Sequence, residues 1–252
     1  MKQWRRIGCV LAMACVTAGG IGARAGDKGK EKAPSNPMLD SGSFGVFIRG
    51  QRVLTESFTI QQQGSASTVR AQLKQTGSTG PEQTSELQLS TNGELVRYQW
   101  DDASAAKASL VVTPNNEFLI ERITTAASEK PVEQPFLLPT STMVLDNNFF
   151  IHREVLAWRY LAANCHQEKG SLQCQKEPAE FGVIVPQDRN SIRVRLELVG
   201  REKVNIRGTE RDLVRLNLSG EGFSWAMWVD DHDQFKLMRI LIAADNTEVI
   251  RD

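Results

Sequence analysis

NNFFIHREVLAWRYLAA, residues 147–163, is the one long segment of this 252-residue chain without strand alternation. Asp146, Asn147 and Asn148 precede it, residue types whose short side chains accept from the free N–H groups of a first helical turn. Leu, Ala, Arg and Trp then suit a helix interior. From Phe149 to Ala163, 11 of 15 positions are apolar, and His152, Arg153, Glu154 and Arg159 leave a narrow polar stripe. A helix apolar over most of its circumference is buried. The expectation is one helix, near 147–163, inside a curved antiparallel sheet.

On both sides of this segment the pattern has period two. Phe44, Val46 and Ile48 alternate with Ser43, Gly45 and Phe47; Gly50-Gln51 reads as a turn; Leu54, Phe58 and Ile60 share the next face. Val69, Ala71 and Leu73, then Leu87 and Leu89, lead into Asn92-Gly93, a strong hairpin signal, and Leu95 to Trp100 returns. Ala108 to Thr113 and Glu117 to Thr124 end the first half. After the helix come Phe181 to Val185, Ile192 to Leu198, Val204 to Arg207, Leu213 to Leu218, Phe223 to Val229, Phe235 to Ile242 and Thr247 to Arg251. Sequential strands joined by short turns are antiparallel neighbours. The fold class is mainly β: a single highly curved antiparallel sheet, a half-barrel of about 10–12 strands, over 41–252. Phe235 to Ile242 is apolar on both faces, so its outer side needs a cover as well, from a loop, the Pro131 to Pro139 segment or a partner.

The start of the chain reads as an export signal over 1–25. Lys2, Arg5 and Arg6 precede the uncharged stretch Ile7 to Gly22, and Ala23 and Ala25 are the small residues of a cleavage site before Gly26. That stretch falls short of the roughly 20 apolar residues that span a bilayer. A rival reading takes Leu11-Ala12-Met13-Ala14-Cys15 as a poor lipoprotein box, leaving a lipid anchor on Cys15. Residues 26–40, with Lys28, Lys30, Lys32, Pro34 and Pro37, read as a flexible tether. The protein is therefore expected in the periplasm or secreted. The whole chain has 30 basic and 30 acidic residues, so no basic excess points to nucleic acid. With Cys9 and Cys15 removed in the signal, Cys165 and Cys174 remain, and an oxidising compartment favours their disulfide. The alternative, a metal site of Cys165, His166 and Cys174, departs from paired zinc spacing.

No H-E-x-x-H, G-x-S-x-G, Walker loop or C-x-x-C is present, so no catalytic residue, cofactor or metal is expected. His152 and Glu154 form an H-x-E without the P-C-x-x-C that zinc deaminases add. Asp230-Asp231-His232-Asp233 offers a cation four ligands but lacks a spaced loop with a glycine bend, and reads as a solvated turn. Glu56 shares its face with Leu54, Phe58 and Ile60, and Arg239 shares its face with Phe235, Leu237 and Leu241. Each charge is either turned outward by a β-bulge or set at an interior cavity with a partner or a polar headgroup. Trp225 and Met227 lie on one face of their strand and read first as core.

A long antiparallel meander around one apolar helix in an exported chain resembles the half-barrel of the bacterial lipoprotein-localisation carriers of the LolA and LolB type. Two local patterns accompany it: Gly45-Val46-Phe47-Ile48 with Gly50 to Phe58, and Trp228-Val229-Asp230 with Arg239 to Arg251. The same patterns resemble a secreted bacterial domain family of unknown function. The carrier resemblance implies a cavity between sheet and helix that holds acyl chains of a lipid or lipoprotein. Its candidate lining is Leu54, Glu56, Phe58, Ile60, Leu156, Trp225, Met227, Leu237 and Arg239. The second expectation is a non-enzymatic envelope structural or interaction protein whose groove is filled by its own helix. N-terminal sequencing of exported material is expected to begin at Gly26; a lipidated Cys15 would overturn the cleavage reading.

Overall fold

The period-two segments become strands, and 15 of them hydrogen-bond into one sheet. The computed structural model describes residues 38–80, 82–104, 107–127, 130–168, 171–175 and 177–252. The expected export signal, Cys15, the expected cleavage residues Ala23, Ala25 and Gly26, and the expected tether up to residue 37 lie outside the described residues. The first eight strands are β1 Met38–Ile48, β2 Gln51–Gln63, β3 Ala66–Gln75, β4 Gln83–Ser90, β5 Leu95–Asp102, β6 Ser109–Asn115, β7 Phe118–Thr124 and β8 Val132–Phe136. The short β9, Met143–Val144, precedes the helix α1, Ile151–Asn164. Then follow β10 Cys165–Glu168, β11 Ser171–Cys174, β12 Ala179–Val185, β13 Asn190–Ile206, β14 Thr209–Gly220, β15 Phe223–Asp230, β16 Lys236–Ile242 and β17 Thr247–Arg251. The described part is mainly β with a single α-helix.

The sheet runs β8 through β1 in reverse chain order, then β17 back to β12, and finally β9. It is not closed into a barrel, since β8 and β9 are its two ends. The two meanders meet where the first strand pairs with the last, with Phe44 opposite Arg251 and Ile48 opposite Thr247. All pairs are antiparallel except β12 with β9. Tight turns set the register: Arg49–Gly50 at φ 50° and 79° and Arg207–Gly208 at φ 52° and 83° are two-residue hairpin loops with both centres left-handed. Among the described residues no helix is long and apolar enough to cross a membrane.

Several expectations are corrected. Seventeen strands replace the expected 10–12: β8, β9 and the β10–β11 hairpin add four in stretches that read as loop, while β13 merges the two segments expected at 192–198 and 204–207 into one. The tether gives way to strand at Met38 rather than after Asp40, because the Asp40 carboxylate is buried on Arg251. Cys165 and Cys174 face each other across β10 and β11 and are joined as a disulfide. His152, Arg153 and Glu154 do not form an exposed stripe; all three are buried. Consecutive helical residues point about 100° apart, so three in a row reach around half the helix and cannot share one wet face.

One large core packs α1 against strands of both meanders. A second, small core lies on the other face of the later strands and joins Val204, Ile206, Leu213, Trp228 and Met238. A register shift between Leu198 and Gly200 turns Val204 and Ile206 to that face. The outer side of β16 is thus covered by the far end of the β13–β14 hairpin rather than by the Pro131 to Pro139 segment. Trp228 is held between the guanidinium groups of Arg215 and Arg239, 5.7 and 5.0 Å from its ring.

The junction of the two meanders carries a buried charge cluster. Arg251 donates to both Asp40 oxygens at 2.6 Å, to Glu154 at 3.1 Å and to the Ser41 carbonyl, and lies over the Phe44 and Phe58 rings. It therefore ties β1, β17 and α1 together. Removing Arg251 takes the closest cation from the buried Asp40 and Glu154, leaving Lys236 at 3.7 Å from Asp40 alone, which costs about 3–5 kcal/mol. Arg251→Met is expected to lower the unfolding free energy obtained from urea titration by that much at an unchanged slope, whereas Arg70→Met, in an exposed ion pair, is expected to change it by less than about 1 kcal/mol.

Candidate functional site

The buried start of α1 lacks the side-chain cap that Asp146, Asn147 and Asn148 were expected to provide. A carboxylate from far along the chain takes that place: Glu56 on β2 accepts from the Phe150 N–H at 2.6 Å and the Ile151 N–H at 3.0 Å. Asp146 instead folds the approach, accepting from the N–H groups of Asn148 and Phe149, from Gln187 at 2.6 Å and from the Tyr98 hydroxyl. Arg153 returns from the first helical turn to donate to the carbonyls of Asp146 and Phe149, between the rings of Phe150 and Trp225.

Burial dominates the ionisation of this region. It pushes the Glu56 carboxyl up to about 8, against the two backbone N–H groups and Arg153, which pull it down. His152 is held down to about 4 by burial, and neither ring nitrogen has a hydrogen-bond partner. Glu154 accepts from the Leu237 N–H and from Arg251. Its carboxyl is held well above the usual range by burial and then by the neighbouring Asp40, against the pull of Arg251 and the Leu237 N–H. On β7, Glu121 is buried with neither oxygen partnered, and burial raises it to about 7 against the pull of Arg189.

Toward its other end the helix stands off the sheet. An open cleft of about 480 Å³ lies between α1 and β2–β4, with Leu39 and Met143 also contributing. Val155, Trp158, Arg159, Ala162 and Ala163 recur at helical spacing and form one wall, and Ile60, Val69 and Leu89 form the other. Trp158 is fixed by its indole N–H on the Phe235 carbonyl at 2.9 Å. The Thr91–Gly93 turn closes one end and receives Arg159 on the Gly93 carbonyl at 2.6 Å. Exposed Thr91, Asn92, Ala162 and Ala163 mark the mouth.

Of the residues singled out from sequence, Ile60 lines this cleft. Phe58, Leu156, Met227 and Leu237 are buried in the core, Phe58 stacked on Phe44 at 4.8 Å, and Leu54 and Trp225 pack at its margin. Glu56 is interior at the helix start. Arg239 is not on the face of Leu237: the register shifts by one residue between Trp228 and Val229, so Met238 is extra and Arg239 moves to the outer face. There it pairs with Glu248 at 2.5 Å, and Glu56 and Arg239 do not meet. Asp230, Asp231 and His232 bring potential metal-ligand atoms within 4.8 Å of one another in an exposed turn, where Arg201 and Arg211 already engage the two carboxylates. The cleft wall of α1 was hidden in the sequence because its apolar residues read simply as core; the pair Ala162 and Ala163, too small to fill the space beside Trp158, was its one signal.

No protein-family model matches the chain, and no curated protein matches it. A solved structure, the crystal structure of a beta-barrel-like protein of domain of unknown function DUF1849 from Brucella abortus, is similar at TM-score 0.45 and 8% identity, over 84% of this chain and 94% of that one.

A carboxyl whose native pKa lies above its unfolded value favours the folded state most below the unfolded value, near 4.5, and loses that contribution as pH rises through the native one. For Glu56 the loss runs up to about pH 8, while His152, depressed to about 4, contributes nothing further above pH 6.5. Stability is therefore expected to fall between pH 6.5 and 8.5, and Glu56→Gln is expected to shrink that fall, leaving the share of Glu121 and Glu154. Urea midpoints of both proteins at the two pH values check this, and an equal fall in both would remove Glu56 as its source.

Proposed function

We propose that this is an exported, non-enzymatic binding protein whose cleft between sheet and helix takes an apolar ligand, a lipid or the acyl chain of a lipoprotein. The cleft itself carries this reading: at about 480 Å³ it lies within the roughly 300–1,000 Å³ of small-molecule sites, and its walls are largely apolar with few polar groups.

The reading takes the sheet as a half-barrel curved around α1, and two observations support that. Phe136, the end of one edge strand, and Met143, the start of the other, are seven residues apart in the chain, a span of at most about 25 Å. Fifteen strands laid flat would separate the edges by roughly 67 Å. In addition, Gln134 on β8 donates to the Arg189 carbonyl beside β12 and β13, and α1 bonds to strands of both meanders through Glu56 and through Tyr160, whose hydroxyl accepts from the Leu198 N–H. A second reading, an envelope structural or interaction protein with its groove filled by its own helix, is favoured by the first half of α1, where Ile151 to Ala157 are all buried.

Native mass spectrometry of protein purified from its own envelope separates the two. The carrier reading expects a co-purifying lipid, and it expects the lipid to be lost from Ala162→Trp, which places an indole at the exposed mouth without disturbing the core. Protein free of lipid that also fails to bind added hexadecanol would leave the structural reading.

A further inference from the structure

Among the residues that line the cleft, Arg159 alone is charged. Its Nη1 is held by two acceptors, the Gly93 carbonyl at 2.6 Å and the Met143 sulfur at 3.2 Å. Neither is a carboxylate, and among the described residues no acidic group pairs with this guanidinium. Nε and Nη2 are left as donors without a protein acceptor. Fixing Nη1 fixes the plane of the group, so the two free donors form an oriented fork of the kind that receives a carboxylate or phosphate. The neutral hydroxyls of Ser67 and Thr91 line the same cleft, and the opposite wall is apolar.

Resting on the binding reading above, we infer that the cleft selects a single-chain amphiphile with an anionic headgroup, the chain lying between Val155 and the Ile60–Val69–Leu89 wall and the headgroup on the free edge of Arg159. Carboxylate and phosphate headgroups share the required chemistry, two acceptor oxygens in one plane. A cationic headgroup is repelled, and an uncharged one leaves the fork without a partner.

The test is displacement of the uncharged probe N-phenyl-1-naphthylamine from the full exported chain by four compounds below their micelle concentrations: palmitate, hexadecyl phosphate, hexadecanol and hexadecyltrimethylammonium. The expected order places the two anions at least about tenfold tighter than the alcohol and the ammonium compound weakest. The preference for anions is expected to fade in Arg159→Gln, to persist in part in Arg159→Lys, and to weaken with added salt. Equal displacement by palmitate, hexadecyl phosphate and hexadecanol would overturn the anchor while leaving the apolar cleft standing. Binding of no compound, with the probe itself not taken up, would overturn the binding reading and the anchor together. Displacement by inorganic phosphate alone would overturn the chain-in-cleft placement. If Arg159→Gln does not fold, the order of the four compounds and its salt dependence in the unaltered protein decide the matter.

Discussion

A helix that begins in the interior of a protein has no water to meet its leading N–H groups, and in this molecule the carboxyl of Glu56 meets two of them. The residues it joins are 94 and 95 positions apart. The bond therefore fixes where the helix starts relative to the second strand, and with it the depth at which every later helical residue sits. Asp146 and Arg153 complete the arrangement by satisfying the backbone just before the helix and in its first turn. The cost is visible in the ionisation: a carboxyl raised to about 8 and an imidazole lowered to about 4 are groups whose charged forms the interior disfavours.

The second constraint is topological. The first and last strands are neighbours in the middle of the sheet, so neither meander is a separate unit with its own edge. Arg251, the penultimate residue, is where that closure is made electrostatic: it bridges Asp40 at the head of the first strand and Glu154 in the helix. Glu154 is one residue past Arg153, so the same helical turn is held by the first meander through Glu56 and by the junction of the two through Arg251. A helix pinned from both sides at one turn is well located along its first half, and these bonds offset the burial of Arg153 and Glu154, while the His152 ring is buried without a hydrogen-bond partner.

Much of the sheet was legible because its strands alternate cleanly. Phe44 and Val46, Phe58 and Ile60, Val194 and Leu196 lie inside as their spacing requires. The helix was legible from the loss of that alternation, and the disulfide from the two cysteines that remain once the expected signal segment is set aside. What stayed hidden depends on non-local facts. Glu56 looked like an anomaly on an apolar face because its partner, a backbone N–H, has no sequence signature. For Arg239 the pattern left two outcomes open, and the outward turn by a β-bulge is the one found: one extra residue, Met238, reverses every side chain beyond it. The edge strands β8 and β9 were missed because one is interrupted by Pro135 and the other is two residues long, too short to show a period. Of the candidate lining, Phe58, Leu156, Met227 and Leu237 belong to the core that also takes in the first half of the helix.

The cleft follows from how the helix is held. Beyond its first two turns α1 keeps Tyr160 and Leu161 in the core and is bonded at separate points: Trp158 on the Phe235 carbonyl, Arg159 on the Gly93 carbonyl, Tyr160 on the Leu198 N–H, and the disulfide hairpin that leaves its end. These contacts reach two turns, at Phe235 and Gly93, and one strand, at Leu198. Ala162 and Ala163 lack the side-chain volume to close the gap that remains. Space beside the second half of the helix is thus the geometric remainder of a first half packed without slack. An occupant of that space enters a cavity that already exists, and the protein need not break the Glu56 or Arg251 contacts to admit it.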